Sequence, residues 1–275
     1  MTVSLEYLKP VTRLVVISDA HLGRGNSETG FGGDPEKLCA AIETLADQAD
    51  LVIINGDLYD LDRGLVPIAQ RLEYRSIKKR WAAVEATMAA RGVRVTTGNH
   101  DHALRGKSIG GAIARGAFRI QVGEWLVHVE HGERFNAWVK KSRSFTSAVT
   151  WLSGCVSHGP LRPLYRLLRR LEARTTGDRG GGVMQRAGRW LSKQPKLDVM
   201  IIGHTHQRDA QVIDERWLLN PGDVMGELFH YLRLDAKTGQ IEFGALDQNG
   251  TSLGVQRLAL FPPIGKSSTH AARVN

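Results

Sequence analysis

Five short clusters carry side chains able to hold metal ions: Ser18-Asp19-Ala20-His21, Asn55-Gly56-Asp57-Leu58-Tyr59-Asp60, Gly98-Asn99-His100-Asp101, His131-Gly132-Glu133 and Gly203-His204-Thr205-His206. Taken singly each reads as a turn, because Asn, Gly and Asp end strands in most proteins. Their recurrence argues for more. Asp19, His21, Asp57, Asn99, His131, His204 and His206 offer oxygen or imidazole nitrogen without thiolate, a mixture suited to Mn, Fe or Zn. Seven donors exceed the needs of one ion and serve two if one carboxylate bridges. Two divalent ions about 3.5–4 Å apart form a clamp for in-line attack on phosphorus. In His204-Thr205-His206, alternate side chains of an extended segment would share one side, so both could reach one metal site.

The segments before these clusters explain why they would converge. Leu14 to Ile17, Leu51 to Ile54, Val93 to Thr97, Trp125 to Glu130 and Val199 to Ile202 read as strands, and each runs directly into one cluster. A carboxylate at the end of a buried strand has little water around it and needs cations or dense hydrogen bonding. Helices are expected from Asp34-Pro35 through Ala49 and from Pro67 to about Ala90, ended by Gly92. Strands alternating with helices point to an α/β core, in which ligands gather at the carboxyl ends of strands. Residues 1–10 read as a leader, and Phe229 to Leu234 with Gln240 to Phe243 as a closing hairpin.

Charge is distributed unevenly. The 275 residues carry a net +9, yet Arg134 to Lys196 alone hold fourteen Lys and Arg against two acids, leaving about −3 for the remainder. This block has a helical pattern in which Leu161, Leu164, Tyr165, Leu168 and Leu171 interleave with Arg162, Arg166, Arg169, Arg170 and Arg174. Thr175 to Gly182 should interrupt it before a last helix. Arg beside Leu, Trp and Phe on short helices suits anionic lipid, apolar faces entering the acyl boundary while cations meet phosphate. A solvated basic cap and a phosphate-tracking nuclease surface are the competing readings. Cys39 and Cys155 form no disulfide framework, and a reducing compartment is expected. Neither a signal peptide nor a membrane-spanning run is expected.

Asp19-Ala20-His21, Gly56-Asp57 to Asp60, Gly98-Asn99-His100-Asp101, His131-Gly132 and Gly203-His204-Thr205-His206, followed by Asn220-Pro221-Gly222, resemble the calcineurin-like metallophosphoesterases in order and rough spacing. The resemblance covers about Arg13 to Leu234. It implies an α/β (α+β) fold, a two-layer β-sandwich flanked by helices, with an inserted helical lid. The core would be residues 11–133 and 197–246, the lid 134–196, and 247–275 a C-terminal extension with a disordered end. It further implies two divalent ions, Mn first and Fe or Zn as alternatives. Asp19, His21 and His206 would hold one, Asn99, His131 and His204 the other, and Asp57 would bridge. His100 would assist the leaving group, Asp101 would orient it or a neighbouring ligand, and Asp60 would orient His21 or a water. His102, His128, His158, His230 and His270 carry no spacing signal.

With the basic insertion, the layout is most similar to the UDP-2,3-diacylglucosamine diphosphatases of lipid A synthesis. It departs from them at His100, where that group has arginine, and at Glu133, where many relatives have aspartate. The resemblance implies a cytoplasmic enzyme held peripherally at the inner membrane by the insertion, taking an anionic lipid-linked nucleotide and no nucleic acid. A phosphoesterase of small phosphoesters, dinucleotides or phosphoproteins is the alternative.

Overall fold

Apolar runs with no polar alternation belong to strands covered on both faces, and the central strands here are of that kind. The computed structural model describes residues 4–23, 34–61, 67–136, 181–224, 228–247 and 249–259. In chain order the elements are β1 (Leu5–Tyr7), β2 (Arg13–Ile17), α1 (Pro35–Asp47), β3 (Leu51–Asn55), α2 (Pro67–Lys78), α3 (Ala82–Ala90), β4 (Arg94–Thr96), β5 (Ser108–Ile109), β6 (Ala112–Ile113), β7 (Ala117–Val122) and β8 (Trp125–Glu130). Then follow α4 (Gly181–Leu191), β9 (Val199–Ile201), β10 (Arg208–Ile213), β11 (Arg216–Pro221), β12 (Phe229–Asp235), β13 (Gln240–Leu246) and β14 (Ser252–Ala259).

The strands form two six-stranded sheets, ordered β1-β7-β8-β9-β11-β10 and β14-β13-β12-β2-β3-β4, with β5 and β6 as a separate small hairpin. Alternation along β2 and β3 shows how they stack. Leu14, Val16 and Ile53 enter a core shared with Phe118, Val127, Val129, Val199 and Ile201 of the other sheet. Val15, Ile17, Val52 and Ile54 face the opposite way, onto Leu38, Ile42 and Leu45 of α1 and Val84 and Met88 of α3. Met200, Ile202 and Leu218 lie under Val183, Met184, Ala187 and Leu191 of α4. The layers are therefore helices, sheet, sheet, helix. Each buried Val, Leu, Ile or Phe contributes about 1.5–3 kcal/mol.

Local signals set several boundaries. Asp34 caps α1, its carboxylate accepting from the N–H groups of Glu36 and Lys37, with Pro35 at the first helical position. The helix expected from Pro67 to Ala90 is two helices, α2 and α3, broken around Trp81. The Trp81 side chain is fully buried and its indole N–H donates to the carbonyl of Gly23 (2.8 Å), so packing overrides helical continuity there. The leader contains β1, which pairs in parallel with β7. The boundary expected at 246 falls between β13 and β14, neighbours in one sheet. α4 begins at Gly181, inside the expected interruption. The helices expected at 161–171, with Cys155, His158, His270 and the chain end, lie outside the described residues. Among the described residues no helix is long and apolar enough to cross a membrane.

Parallel pairing of β2, β3 and β4 in one sheet, and of β8 and β9 in the other, sets the carboxyl ends of these strands side by side. Asn55 joins the sheets at that edge. Its buried amide donates to the Glu130 carbonyl (2.9 Å) and accepts from the Thr96 hydroxyl (2.8 Å).

Candidate metal centre

Each of the five clusters leaves a strand at this edge, and the backbone bends sharply as it does so. Among the described residues seven non-glycine positions have positive φ, and five are Asp19 (58°), His21 (47°), Asp57 (48°), His204 (68°) and His206 (58°). Such conformations cost about 1–3 kcal/mol each and persist where surrounding structure imposes them. They aim side chains at one point. Among the described residues three groups result, Asp19, His21 and His206 in one, Asp57, His131 and His204 in a second, and His21, Asp60 and His100 in a third that shares His21 with the first, with ligand atoms within 4.8 Å of one another in each. Asp57 Oδ2 lies between the first two, 3.1 Å from His131 Nε2 and 3.9 Å from His21 Nε2. Asp19 Oδ1 is 3.6 Å from His206 Nε2 and 3.8 Å from His131 Nε2.

The His204-Thr205-His206 geometry corrects one expectation. The segment is not extended, since both histidines are left-handed, and the two side chains join different groups. Buried Asn220 holds this turn, its amide donating to the Gly203 carbonyl and the Thr205 hydroxyl (2.9 Å each). Glycines make the close approach possible. A Cβ on Gly98 would sit 2.1 Å from Asp57 Oδ1, and one on Gly203 would sit 1.9 Å from Ser18 Oγ.

The unsatisfied atoms state what the pocket requires. Asp19 Oδ1, His21 Nε2, Asn99 Oδ1 and His131 Nε2 are buried without a hydrogen-bond partner. Leaving such a group unpaired costs about 1–3 kcal/mol, more when charged. All are atoms able to ligate a metal, and His21 Nε2 and His131 Nε2 lie 3.9 and 3.8 Å from Asp19 Oδ1, so this donor set fits a pair of divalent cations.

Remaining polar atoms orient the donors. His131 Nδ1 donates to the Asn55 carbonyl (3.0 Å), which turns Nε2 toward the carboxylates. His206 Nδ1 donates to Asp223 Oδ2 (3.2 Å), leaving Nε2 toward Asp19. Asp223 directly follows the Asn220-Pro221-Gly222 turn, and neither it nor His230 has a spacing that marks it in the sequence. In the fold His230 Nδ1 donates to the Asp223 carbonyl (3.1 Å), and the Asp223 carboxylate stands between the two histidines. The only sequence hint was an acid directly after the Asn220-Pro221-Gly222 turn. Asn136 Nδ2 donates to His204 Nε2 (3.0 Å), a contact that needs the neutral ring.

The expected roles of the neighbouring acids also change. Asp60 Oδ1 lies 3.1 Å from His100 Nδ1 and so orients His100, with His21 in the same cluster. Asp101 acts through the backbone. Its carboxylate accepts from the backbone N–H groups of Gly98 (2.8 Å), Leu58 (2.9 Å) and Tyr59 (3.4 Å). It thereby clamps the Asn99 loop to the Asp57 loop, and the His100 N–H donates to Asp57 Oδ1 (2.9 Å) in the same direction. The His100 ring stands edge-on to His21, 4.6 Å between centroids. His128 is buried beside Trp190, 5.2 Å between ring centroids, with its Nε2 3.5 Å from Glu130 Oε1.

Electrostatics follow from burial and close charge. Burial, then the charge of His100, pushes the His21 imidazole down to about 4. Burial, then His131, pushes His204 down to about 3. Burial would also lower His131, but Asp57 and Asp19 outweigh it and hold its pKa well above the usual histidine range. Burial would raise Asp57, yet His131 and His100 outweigh it and hold the carboxyl well below the usual range. Burial, then Asp57, pushes the Asp101 carboxyl up to about 7. For Asp223, burial is outweighed by hydrogen bonds from His206 and His230, which hold it at about 2.

Two outcomes are expected. Asp223→Asn should weaken divalent-metal affinity about 10–100-fold, measured by calorimetric titration, while leaving the far-ultraviolet dichroism unchanged. The raised pKa of His131 favours its protonated form in the metal-free chain. That proton stabilises the metal-free fold below the unfolded value near 6.5, and its contribution fades as pH rises through the folded pKa. Metal must displace it, so calorimetry in buffers of different ionisation enthalpy should show proton release at pH 7, with affinity rising as pH rises. Buffer-independent heats would contradict the charge assignment.

Residues 13–239 match the family model described as the calcineurin-like phosphoesterase superfamily domain. No curated protein sequence matches the chain. Among solved structures, a conserved uncharacterized protein from Streptococcus pneumoniae is 15% identical, with 90% of this chain and 98% of that one covered and a TM-score of 0.44. Zinc-complexed Vps29 from Entamoeba histolytica is also 15% identical, with coverages of 90% and 99% and a TM-score of 0.45. The phosphoesterase YfcE from E. coli is 16% identical, with coverages of 90% and 100% and a TM-score of 0.41. These similarities are distant, and the assignment stands on the sequence match, which spans well over half of the chain. The chain belongs to the calcineurin-like phosphoesterase superfamily.

Proposed function

We propose that the chain is a two-metal hydrolase of the pyrophosphate bond in a nucleoside-diphospho-lipid, with UDP-2,3-diacylglucosamine as the substrate favoured by the sequence. The observation that carries the hydrolase reading is the set of buried, unpaired atoms on Asp19, His21 and His131 beside Asp57, with Asn99 Oδ1 also buried and unpaired. Asp19, His21 and His206 would hold one cation, Asn99, His131 and His204 the other, with Asp57 shared. When bound, such cations supply Lewis acidity that makes water a nucleophile near neutral pH and offsets phosphoryl charge; Mn is the first candidate, with Fe and Zn as alternatives.

The chain's own residues supply the rest. Asp101 and the Asp57 carboxylate hold the Asn99-His100 loop in place through backbone N–H groups. The Asp60 carboxylate accepts from His100 Nδ1, and in the imidazolium form the Nε2–H can donate to a phosphoryl oxygen or to the departing oxygen. Positioned proton transfer of this kind is worth roughly 10²–10⁴-fold in rate. Water adds to the α-phosphorus, the bond to the bridging oxygen breaks, and the products are UMP and 2,3-diacylglucosamine 1-phosphate.

The lipid part of the reading draws on the insertion. Its net charge of +12 is local, and its described ends meet beside the site. Asn136 touches His204, and Arg134 bonds Glu130 (2.6 Å) with its guanidinium over the rings of Phe135 (4.5 Å) and Trp190 (4.4 Å). Arg186 of α4 donates to the Phe135 carbonyl. Phe135 and α4 also cover the outer face of one sheet, so a clean test removes only residues 137–180.

Incubation with UDP-2,3-diacylglucosamine and Mn should release UMP, and His206→Ala should abolish release. Replacing 137–180 by a short linker should spare hydrolysis of a small chromogenic phosphodiester while removing lipid hydrolysis. Absence of UMP with brisk phosphodiester turnover would overturn the substrate and leave the hydrolase.

A further inference from the structure

The amphipathic pattern of α2 is inverted. Glu73, Tyr74 and Ile77 are buried, whereas Ile68 (70% exposed) and Leu72 (58% exposed) point to solvent. These two lie four residues apart and so sit one above the other on the same face. Around them on that face, or immediately beyond its end, stand exposed Arg71, Arg75 and Lys79. The one acid of the helix, Glu73, is on the buried side. Arg71, Arg75 and Lys79 make no hydrogen bond or ion pair among the described residues. An exposed apolar pair ringed by cations, with no acid among them, matches a surface that combines hydrocarbon with negative charge.

The helix is also bound to the metal loops. The hydroxyls of Tyr59 and Tyr74 both donate to Glu85 Oε1 (2.7 and 2.5 Å), and Tyr59 stands two residues after Asp57. α2 packs on the turn His102–Leu104, which directly follows His100 and Asp101. A surface seated on α2 is thus fixed relative to both loops.

We propose that the solvent face of α2, formed by Ile68, Arg71, Leu72, Arg75 and Lys79, docks on an anionic lipid bilayer and fixes the metal site relative to it. The proposal rests on the lipid-linked substrate for its purpose, but its evidence is separate from the insertion. The apolar pair enters the boundary between headgroups and acyl chains, and the cations meet lipid phosphate. Docking through a helix tied to the Asp57 and His100 loops brings the site to a substrate that stays in the membrane.

The test is cosedimentation of the full chain with vesicles of phosphatidylcholine mixed with phosphatidylglycerol, beside vesicles of phosphatidylcholine alone. The chain should bind the mixed vesicles and bind the neutral ones much less. Arg71→Glu with Arg75→Glu should weaken binding by roughly thirtyfold or more, the loss expected from two basic residues near an anionic surface. Ile68→Asp with Leu72→Asp should weaken it on the order of tenfold. Both pairs are exposed and outside the metal site, so turnover of a soluble phosphodiester should be unchanged, which also reports correct folding. Undiminished vesicle binding by both pairs would overturn the proposal, as would failure of the unaltered chain to bind anionic vesicles. A dimer in solution that the same substitutions dissociate would assign the face to a second copy instead. Loss of UMP release with vesicle binding intact would count against the substrate and not against the surface.

Discussion

Two buried carboxylates facing imidazole nitrogens with no protein partner form the constraint on which the rest of the chain depends. Asp19 and Asp57 are sealed from solvent, and Asp19 Oδ1, His21 Nε2 and His131 Nε2 in the same cluster are left without a hydrogen-bond partner. In an interior such charge is tolerated only when opposite charge neutralises it. Without metal a proton on His131 meets part of that need, which is why its pKa is raised while that of Asp57 is depressed. Divalent cations would meet it more fully. The strained backbone at Asp19, His21, Asp57, His204 and His206 is the conformational cost of aiming the donors, and it is offset by the packing of the two sheets beneath them.

The sandwich serves this edge. Side chains alternating along β2 and β3 lock one sheet to the helices and to the other sheet, so the ends of β2, β3, β4, β8 and β9 cannot drift apart. Small devices then fix distances within that frame. Asn55 bridges β3 to β8, Asp101 ties two loops together through backbone N–H groups, and Gly98 and Gly203 leave space that any Cβ would fill. Each device acts on a side chain that carries charge, which links fold stability to the chemistry of the site.

Much of this was legible from sequence because apolar runs ending in Asp, Asn or His encode both strand and site. The donors from all five clusters could be named, and the structure gathers Asp19, His21, Asp57, His131, His204 and His206 into two adjoining groups. What escaped sequence reading was any feature set by tertiary contact. Asp223 is an ordinary turn residue until the fold brings it to His206, seventeen residues earlier in the chain. Asp60 and Asp101 have the right chemistry, but only the fold decides that one meets a ring and the other meets backbone N–H groups. The same holds for Trp81, whose burial splits a helix that local propensity would continue, and for β1 and β14, edge strands too short or too exposed to announce themselves. The inverted face of α2 became visible only once its other side was seen to be buried.

Manganese stoichiometry tests the central claim most directly. Equilibrium dialysis of the purified chain, followed by metal analysis and low-temperature electron paramagnetic resonance, should give two manganese ions per chain with the spectrum of a coupled pair. The Asp57→Asn chain, lacking the shared carboxylate, should lose the coupling. A single uncoupled ion in the unaltered chain at saturating manganese, or a coupled pair that survives the loss of the Asp57 carboxylate, would contradict the account.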